Sequence, residues 1–324
     1  MSHTPTRRFG ATDLHVFPLC LGGNVFGWTA GERQSFEVLD AYAAAGGNFI
    51  DTADAYSSWV PGHTGGESET IIGRWMNARR NRAATIVATK VGRLSTMQGL
   101  SAATIRAGAE ASLRRLGTEY IDLYFAHADD PNTPLEETLR AFDALVREGK
   151  VRYIAASNYT APRLSEALAI SRQEGLAAYS GVQPHYNLAH RQDYEGALRE
   201  LCRREHLACV PYFALASGFL TGKYRAGGTA VDSPRAPWVA KYLDEAGQRM
   251  LGTLDEIALY NKVLTSSQVN SHYAAAYPAT SSVAPGCGST TAISASPNSS
   301  SGIPNTAQSR TPGIWMRIDS ISAG

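Results

Sequence analysis

The amino-acid sequence predicts a parallel α/β fold, a TIM-type (β/α)8 barrel whose last β/α unit is missing or replaced by a different C-terminal tail. Short runs rich in Val, Ile, Tyr and Phe alternate with amphipathic stretches, a pattern typical of βαβ units. Polar residues directly follow several of these runs, where parallel barrels carry their chemistry. Near residue 262 the composition changes sharply, and beyond it only Arg310, Arg317 and Asp319 are charged.

Seven strands are predicted from the apolar runs, with helix-length segments between them. They span residues 16–21, 48–52, 85–89, 121–126, 153–156, 181–184 and 208–212. Residues 32–45 have the apolar period of a helix. A later helix has an explicit start, because Thr133 can cap it, Pro134 suits the first helical position and Glu136 completes a capping box.

The change in composition predicts two regions, a barrel over residues 1–260 and a Ser/Thr/Gly/Pro-rich extension over residues 261–324. A barrel without its last unit would leave two open sheet edges. Residues 314–321 alternate like a strand and could fill the eighth place, in the same chain or in a neighbouring copy. The tail could also support a homo-oligomer.

Composition excludes some classes of partner. The formal net charge of +1 gives no reason to expect binding to nucleic acid or to an anionic membrane. No apolar run has the length of a membrane helix, no secretory signal is evident, and the four cysteines lack paired spacing. We expect a cytoplasmic protein with a small-molecule substrate and no metal site.

Four polar residues follow three successive strands, and in a parallel barrel they would meet at one mouth: Asp51, Tyr56, Lys90 and His127. A free phenol titrates near pH ~10, too high for efficient proton transfer in the cell. A lysine ammonium about 4 Å away would favour the phenolate by roughly 1 to 4 kcal/mol. Asp51 would keep Lys90 charged and oriented, and His127 could bond a substrate oxygen.

Several segments resemble the aldo-keto reductases in order and spacing, over about residues 7–255. They are NFIDTADAYS, GGESETIIGRWM, IVATKVG, YIDLYFAHADD, GKVRYIAASNY, GVQPHYNL and ALASGFLTGKY. Within that family the chain is most similar to the bacterial branch that resembles potassium-channel β-subunits. The resemblance implies reversible reduction of aldehydes and ketones with NADPH, NADH not being excluded. It also implies that Asp51, Tyr56, Lys90 and His127 are the catalytic residues, with Tyr56 as the general acid.

The same resemblance implies a cofactor site. Ser157, Asn158 and Gln183 match residues that bond the nicotinamide carboxamide, and Tyr186 matches the ring that stacks under it. The pyrophosphate loop and a possible phosphate partner after the seventh strand are matched by Leu215, Ser217, Gly218, Leu220 and Lys223. The family usually has Pro at the place of Ala214, which puts the stiffness of this loop in question.

Two tryptophans resemble residues that line the substrate pocket of the family. Trp28 lies in the first βα loop, and Trp59, followed by Val60, comes shortly after Tyr56. Apolar walls with one oxyanion donor suit an aldehyde or ketone better than a charged sugar phosphate. The alternative is that these are ordinary aromatic residues of surface loops.

The family pattern stops at about Leu259, and the residues that bind the adenosine phosphate are not recognisable beyond it. Instead, residues 254–276 weakly resemble the end of a laminin-G or concanavalin-like lectin domain, which suggests a chimeric chain. Two alternatives to a reductase therefore stay open. One is a catalytically weak or inactive barrel that binds a cofactor or partner, and the other is carbohydrate binding by the tail.

Overall fold

The protein is described by a computed structural model over residues 6–225, 231–255 and 316–319, the last four and Asp255 by backbone alone. Its strands are β1 (Arg7–Arg8), β2 (His15–Val16), β3 (Leu19–Gly22), β4 (Phe49–Asp51), β5 (Ile86–Val91), β6 (Arg93–Leu94), β7 (Met97–Gln98), β8 (Ile121–Ala126), β9 (Val151–Ser157), β10 (Gly181–Gln183), β11 (Ala208–Cys209) and β12 (Met316–Asp319). Its α-helices are α1 (Glu32–Ala44), α2 (Glu67–Arg79), α3 (Ala102–Leu116), α4 (Leu135–Arg147), α5 (Ala161–Glu174), α6 (Ala197–Arg204), α7 (Ala236–Val239) and α8 (Glu245–Asp255). Short 3₁₀ helices span Arg82–Ala84, Ala216–Thr221 and Ala240–Tyr242.

The main sheet is parallel throughout and follows the order β11-β10-β9-β8-β5-β4-β3-β12. A helix follows each of its strands from β3 to β10 along the chain. This alternation confirms the predicted parallel β/α fold of the TIM type. It also brings the carboxyl ends of all these strands to the same edge of the sheet.

The outer edge of β3 pairs with β12, a strand from the far end of the chain. The register joins Met316 to Leu19 and Asp319 to Gly22, in parallel. This is the edge at which a substitute strand was predicted, and the pairing is made within one chain.

Residues 256–315 and 320–324 lie outside the described residues, as does most of the lectin-like segment 254–276. The division at residue 260 and the chimeric origin of the tail therefore stay predictions.

The chain divides into two compact units, residues 1–248 with 311–324, and residues 249–310. The sheet and the site below belong to the first unit.

Inside the curled sheet, Phe9, Phe49, Phe125 and Val210 are completely buried in one apolar cluster. Phe9 comes from the turn between β1 and β2, and its ring meets that of Phe49 edge to face at 5.8 Å. The antiparallel β1–β2 pair thus covers the amino end of the barrel.

Two local predictions were wrong. The strand expected at residues 16–21 is two strands, since Pro18 lies between β2 and β3 and has no N–H for a ladder. Thr133 does not cap α4, which begins at Leu135 without a side-chain cap. The Thr133 hydroxyl instead donates to the Asp130 carboxylate at 2.7 Å. This bond to a charged acceptor orients the threonine side chain within the loop, and its oxygen accepts no hydrogen bond from the N–H groups of the helix end.

Candidate active site

The four residues predicted to be catalytic converge at the carboxyl edge of three neighbouring strands. Asp51 ends β4, Lys90 lies in β5, and His127 directly follows β8. Tyr56 lies in the turn-rich loop after β4, where Tyr56 N–H bonds the carbonyl of Ala53. Because β4, β5 and β8 are adjacent in the sheet, the side chains come together although they are far apart in sequence.

Lys90 holds the centre of the site. Its ammonium donates to the Asp51 carboxylate at 2.8 Å, to the Thr52 carbonyl at 2.7 Å and to the Tyr56 hydroxyl oxygen at 2.9 Å. Lys90 and Asp51 are both completely buried. An ammonium has three donors, and here each has an acceptor, so the charge is fixed in direction as well as in place.

Asp51 receives hydrogen bonds on both carboxylate oxygens. Gln183 Nε2 donates to Oδ1 at 2.8 Å, and the Tyr56 hydroxyl lies 3.1 Å from Oδ2. Hydrogen bonds to the charged form and the ammonium beside it both favour an ionised carboxylate. The result is a buried ion pair whose third member is a phenol.

His127 lies beside the phenol. The two rings meet edge to face, with centroids 6.0 Å apart. The histidine backbone is anchored at both ends, because its N–H donates to the Val91 carbonyl at 3.0 Å and its carbonyl accepts from Asn158 Nδ2 at 2.9 Å. Tyr56 and His127 together form one wall of a cavity of about 270 Å³.

That cavity also includes part of the predicted cofactor site. Ser157, Asn158 and Gln183 line it. Asn158 has a left-handed backbone with φ of 57°, and its amide donates to the Ser157 hydroxyl at 3.0 Å. The Ser157 hydroxyl donates in turn to the Gln183 carbonyl at 3.0 Å. These polar groups are ordered by one another before any ligand binds.

The ring predicted to stack under the nicotinamide lies elsewhere. Tyr186 packs against Tyr194 at 5.0 Å and donates its hydroxyl to Glu195 at 2.8 Å, and it is not among the residues that line the cavity. Tyr212, which was not predicted, does line the cavity, and its hydroxyl donates to Asn158 Oδ1 at 2.8 Å. Tyr212 thus presents an aromatic ring to the cavity, whereas the stacking role expected of Tyr186 stays a prediction.

The predicted pyrophosphate loop forms a 3₁₀ segment at the edge of the site. Ala216, Ser217 and Gly218 are three consecutive residues with positive φ, at 49°, 59° and 103°. Left-handed backbone at two residues with side chains is strained, and such strain is common at ligand-binding loops. Leu215 and Leu220 flank this turn and bond each other through the backbone at 3.2 Å. Lys223 is exposed and lies 5.4 Å from the Tyr224 ring.

The tryptophans predicted for the substrate pocket lie together. Trp59 lines the cavity and meets Trp28 edge to face at 5.6 Å. Trp28 lies behind it and also packs against Trp238 at 5.9 Å. Trp238 comes from α7 and lines the cavity, as does Phe213, whose ring is 6.0 Å away. One side of the cavity is therefore a continuous aromatic wall.

Sequence reasoning missed five of the residues that line the cavity: Asn24, Arg93, Tyr212, Phe213 and Trp238. Tyr212 and Phe213 follow β11 and could have been found by the strand-end rule that found Asp51. Arg93 comes three residues after Lys90, and none of the sequence motifs assigns it a role. Nothing in the local sequence of Trp238 indicates that α7 returns to the barrel mouth.

A second buried charged group lies beneath the site. Glu69 is completely buried, accepts a hydrogen bond from the Thr89 hydroxyl at 2.5 Å and pairs with Arg115 at 2.6 Å. Asp54 is 1% exposed, and neither of its carboxylate oxygens has a hydrogen-bond partner. Burial raises the pKa of Asp54 to about 7, and the charge of Glu69 adds to the effect. The Asp54 carboxyl therefore changes between its protonated and ionised forms near neutral pH.

In the part of the chain that the structure describes, no helix is both long and apolar enough to cross a membrane.

Comparison with known proteins gives related reductases. The chain is 33% identical over 262 residues to a norsolorinic acid reductase of Aspergillus flavus, covering 76% of this chain and 64% of that protein. It is 35% identical over 222 residues to norsolorinic acid reductase A of Aspergillus parasiticus, covering 63% and 55%. It is 31% identical over 271 residues to an aryl-alcohol dehydrogenase of Pestalotiopsis microspora, covering 77% and 68%. The chain thus spans between about half and two thirds of the length of these relatives.

The model of the aldo/keto reductase family matches residues 18–306, a range that includes every residue of the site described above and extends beyond residue 255, where the resemblance in the sequence ends. Family, fold and site geometry agree, and this chain belongs to the aldo/keto reductase family.

Proposed function

We propose that the protein reduces an aldehyde or ketone to an alcohol, reversibly, with NADPH as the cofactor and Tyr56 as the general acid. The observation that carries this proposal is the 2.9 Å hydrogen bond from the Lys90 ammonium to the Tyr56 hydroxyl, at the floor of an aromatic cavity. The related proteins named as reductases and an alcohol dehydrogenase support the same chemistry.

The residues around the cavity fit a nicotinamide. Asn158 and Gln183 supply amide groups, Ser157 a hydroxyl and Tyr212 a flat ring, all lining one cavity with Tyr56. A carboxamide-bearing ring needs this combination of donors, acceptors and an aromatic face. The strained turn at Ala216–Thr221 would hold the pyrophosphate by backbone N–H groups, with Lys223 as its cation. A reduced nicotinamide bound there supplies the hydride.

The protein's own residues donate the proton that the carbonyl oxygen needs and stabilise the charges that form. Tyr56 donates its hydroxyl proton to the carbonyl oxygen as negative charge develops on that atom. Lys90 stabilises the charge left on the phenol oxygen, and Asp51 keeps the ammonium charged and aimed. His127, beside the phenol, is in position to donate to the same substrate oxygen. In the oxidative direction the same groups act in reverse.

The preference for NADPH over NADH is proposed from the family resemblance. A cytoplasmic location and self-association through the tail also stay predictions. The alternative is a barrel that binds the cofactor without turnover. It is kept because the part of the chain expected to bind the adenosine phosphate lies outside the described residues.

One experiment separates these functions. NADPH is titrated by fluorescence and then consumed with benzaldehyde, in the wild type and in Tyr56→Phe. We expect tight binding in both and a turnover at least about a hundredfold lower in the variant, the usual contribution of a positioned general acid. Tyr153→Phe is the matched control, because that hydroxyl bonds Asp13 at 2.9 Å, away from the cavity. Binding without turnover in the wild type would favour the inactive barrel.

A further inference from the structure

Arg93 places a positive charge on the wall of the substrate cavity. It is the first residue of β6, in the short hairpin that β6 and β7 form after Lys90. Arg93 is exposed and lines the same cavity as Tyr56 and His127. Among the described residues its side chain has no hydrogen bond or ion pair, so its guanidinium donors are available to a ligand.

The nearest carboxylates are occupied by other donors. Asp129 and Asp130 line a groove that continues from Arg93. Asp129 accepts from Arg163 Nε at 2.9 and 3.1 Å on its two oxygens. Asp130 accepts from the Thr133 hydroxyl and from the N–H groups of Leu100 and Asn132. Neither carboxylate forms an ion pair with Arg93, which lines both the cavity and this groove and has no counter-ion among the described residues.

The rest of this cavity wall is aromatic. Trp59 is 46% exposed and Trp238 41%, unusually high values for such large apolar side chains, and Phe213 lies beside Trp238. A flat aromatic ligand would cover these surfaces. A ligand that also carries a negative charge would satisfy the guanidinium, which binds planar anions through two parallel N–H donors.

From this arrangement we infer that Arg93 is a specificity-determining residue that binds an anionic substituent, a carboxylate or a phenolate, on an aromatic aldehyde or ketone. The inference rests on the proposed carbonyl reduction and adds the class of substrate. The aromatic wall holds the ring, Tyr56 and His127 receive the carbonyl, and Arg93 binds the acidic group at the other end.

Arg93 lies on the side of the site opposite to the groups proposed for the cofactor. Ser157, Gln183 and Tyr212 follow or end β9, β10 and β11, whereas Arg93 follows β5, and β8 lies between these two sets of strands. A change at Arg93 should therefore alter substrate selection and leave the affinity for NADPH unchanged. This separates the inference from a general weakening of the site.

The test compares two substrates of similar shape and different charge, 4-carboxybenzaldehyde and methyl 4-formylbenzoate. We expect the wild type to prefer the acid, by kcat/KM, and Arg93→Gln to lower that preference about tenfold, which corresponds to roughly 1.4 kcal/mol. Arg93→Lys should retain part of it, since the charge remains without the planar fork. Arg114→Gln, an exposed arginine of α3 outside the cavity, is the matched control. Added salt should reduce the preference of the wild type.

A measurement of binding alone tests the Arg93 inference independently of the proposed reduction. Quenching of tryptophan fluorescence by 4-methoxybenzoate and by its neutral methyl ester measures the same preference without chemistry. If neither aldehyde turns over but the acid still binds more tightly than the ester in an Arg93-dependent way, the reductase proposal fails and the Arg93 inference stands. Equal affinities for acid and ester in the wild type, or an equal loss for both in Arg93→Gln, would overturn the inference.

Discussion

Two buried pairs of opposite charge lie close together in this protein, and only one of them bonds a residue that lines the candidate active site. Asp51 with Lys90 and Glu69 with Arg115 each join a carboxylate without solvent contact to a cation, at 2.8 and 2.6 Å. The Lys90 ammonium is completely buried and has one donor directed at a phenol that faces a cavity. The Arg115 side chain is 24% exposed, and its pair serves packing between α2 and α3.

The two pairs also differ in the third titratable group beside them. Tyr56 bonds both members of the first pair: its hydroxyl donates to Asp51 and accepts from Lys90, so the ammonium is the partner that stabilises negative charge on its oxygen. Asp54 lies beside the second pair without a hydrogen bond to its carboxylate, and its pKa is raised to about 7, by burial first and by Glu69 second. The comparison shows that a buried ion pair can stabilise charge on a third group only when its cation also donates a hydrogen bond to that group, as Lys90 does to Tyr56.

The largest expected effect comes from breaking the first pair. Lys90→Met should lower kcat/KM by about a hundredfold or more, because Tyr56 loses the charge that stabilises its deprotonated form. It should also lower the free energy of unfolding by about 3 to 5 kcal/mol, since Asp51 is left buried without its cation. Steady-state kinetics and urea denaturation measure the two quantities.

The double variant Asp51→Asn with Lys90→Met is the control. It removes the uncompensated charge and should recover part of the stability without recovering turnover. A double variant that regains activity would contradict the role given to the ammonium.

Breaking the second pair should affect stability alone. Arg115→Gln leaves Glu69 buried with the Thr89 hydroxyl as its remaining side-chain partner, and we expect a loss of about 3 kcal/mol in the free energy of unfolding. The value of kcat per folded molecule, measured below the unfolding transition, should stay within about threefold of the wild type. A shift in the pH profile of kcat/KM would mean that the two pairs are coupled.

The smallest effect is a dependence of stability on pH that comes from Asp54. Its folded-state pKa of about 7 lies above the value for an unfolded chain, near 3.8, so the folded state binds the extra proton between these values. Stability contributed by this group is present at low pH and is lost as pH rises through that window. Asp54→Asn cannot ionise, and its stability relative to the wild type should rise by roughly 2 kcal/mol from pH 5 to pH 7.

Chemical denaturation at both pH values measures this difference, and the comparison between pH values cancels any fixed cost of the buried amide. A difference that does not change with pH would mean that Asp54 is ionised in the folded protein.

The convergence of the candidate acid-base residues could be predicted from the sequence because a parallel sheet brings the carboxyl ends of its strands to one edge. Asp51 ends β4, Lys90 is the penultimate residue of β5 and His127 directly follows β8. The rule fails for Trp238, which lies in α7 rather than after a strand of the sheet. The rule also does not predict which charged side chains form ion pairs. That Arg93 lacks a carboxylate partner is seen only when the partners of Asp129 and Asp130 are known.

Local signals were least reliable where two partners compete for one group. Thr133 has the sequence of a helix cap, but Asp130 takes its hydroxyl. Tyr186 and Tyr212 both follow strands of the second half of the barrel, and position after a strand does not distinguish them; the family resemblance pointed to Tyr186. The structure separates them, since Glu195 and Tyr194 hold one ring away from the cavity and Asn158 holds the other against it.

The pairing of β12 with β3 has a consequence for the time course of synthesis. The first strand of the barrel sheet is made early, but the strand that pairs with its outer edge is made after all the others. The entropy of closing so long a loop grows only slowly with length, but contacts so distant in sequence form slowly. A nascent chain on the ribosome therefore carries an open hydrogen-bonding edge until the last strand emerges, and an unpaired edge of this kind invites association with other chains.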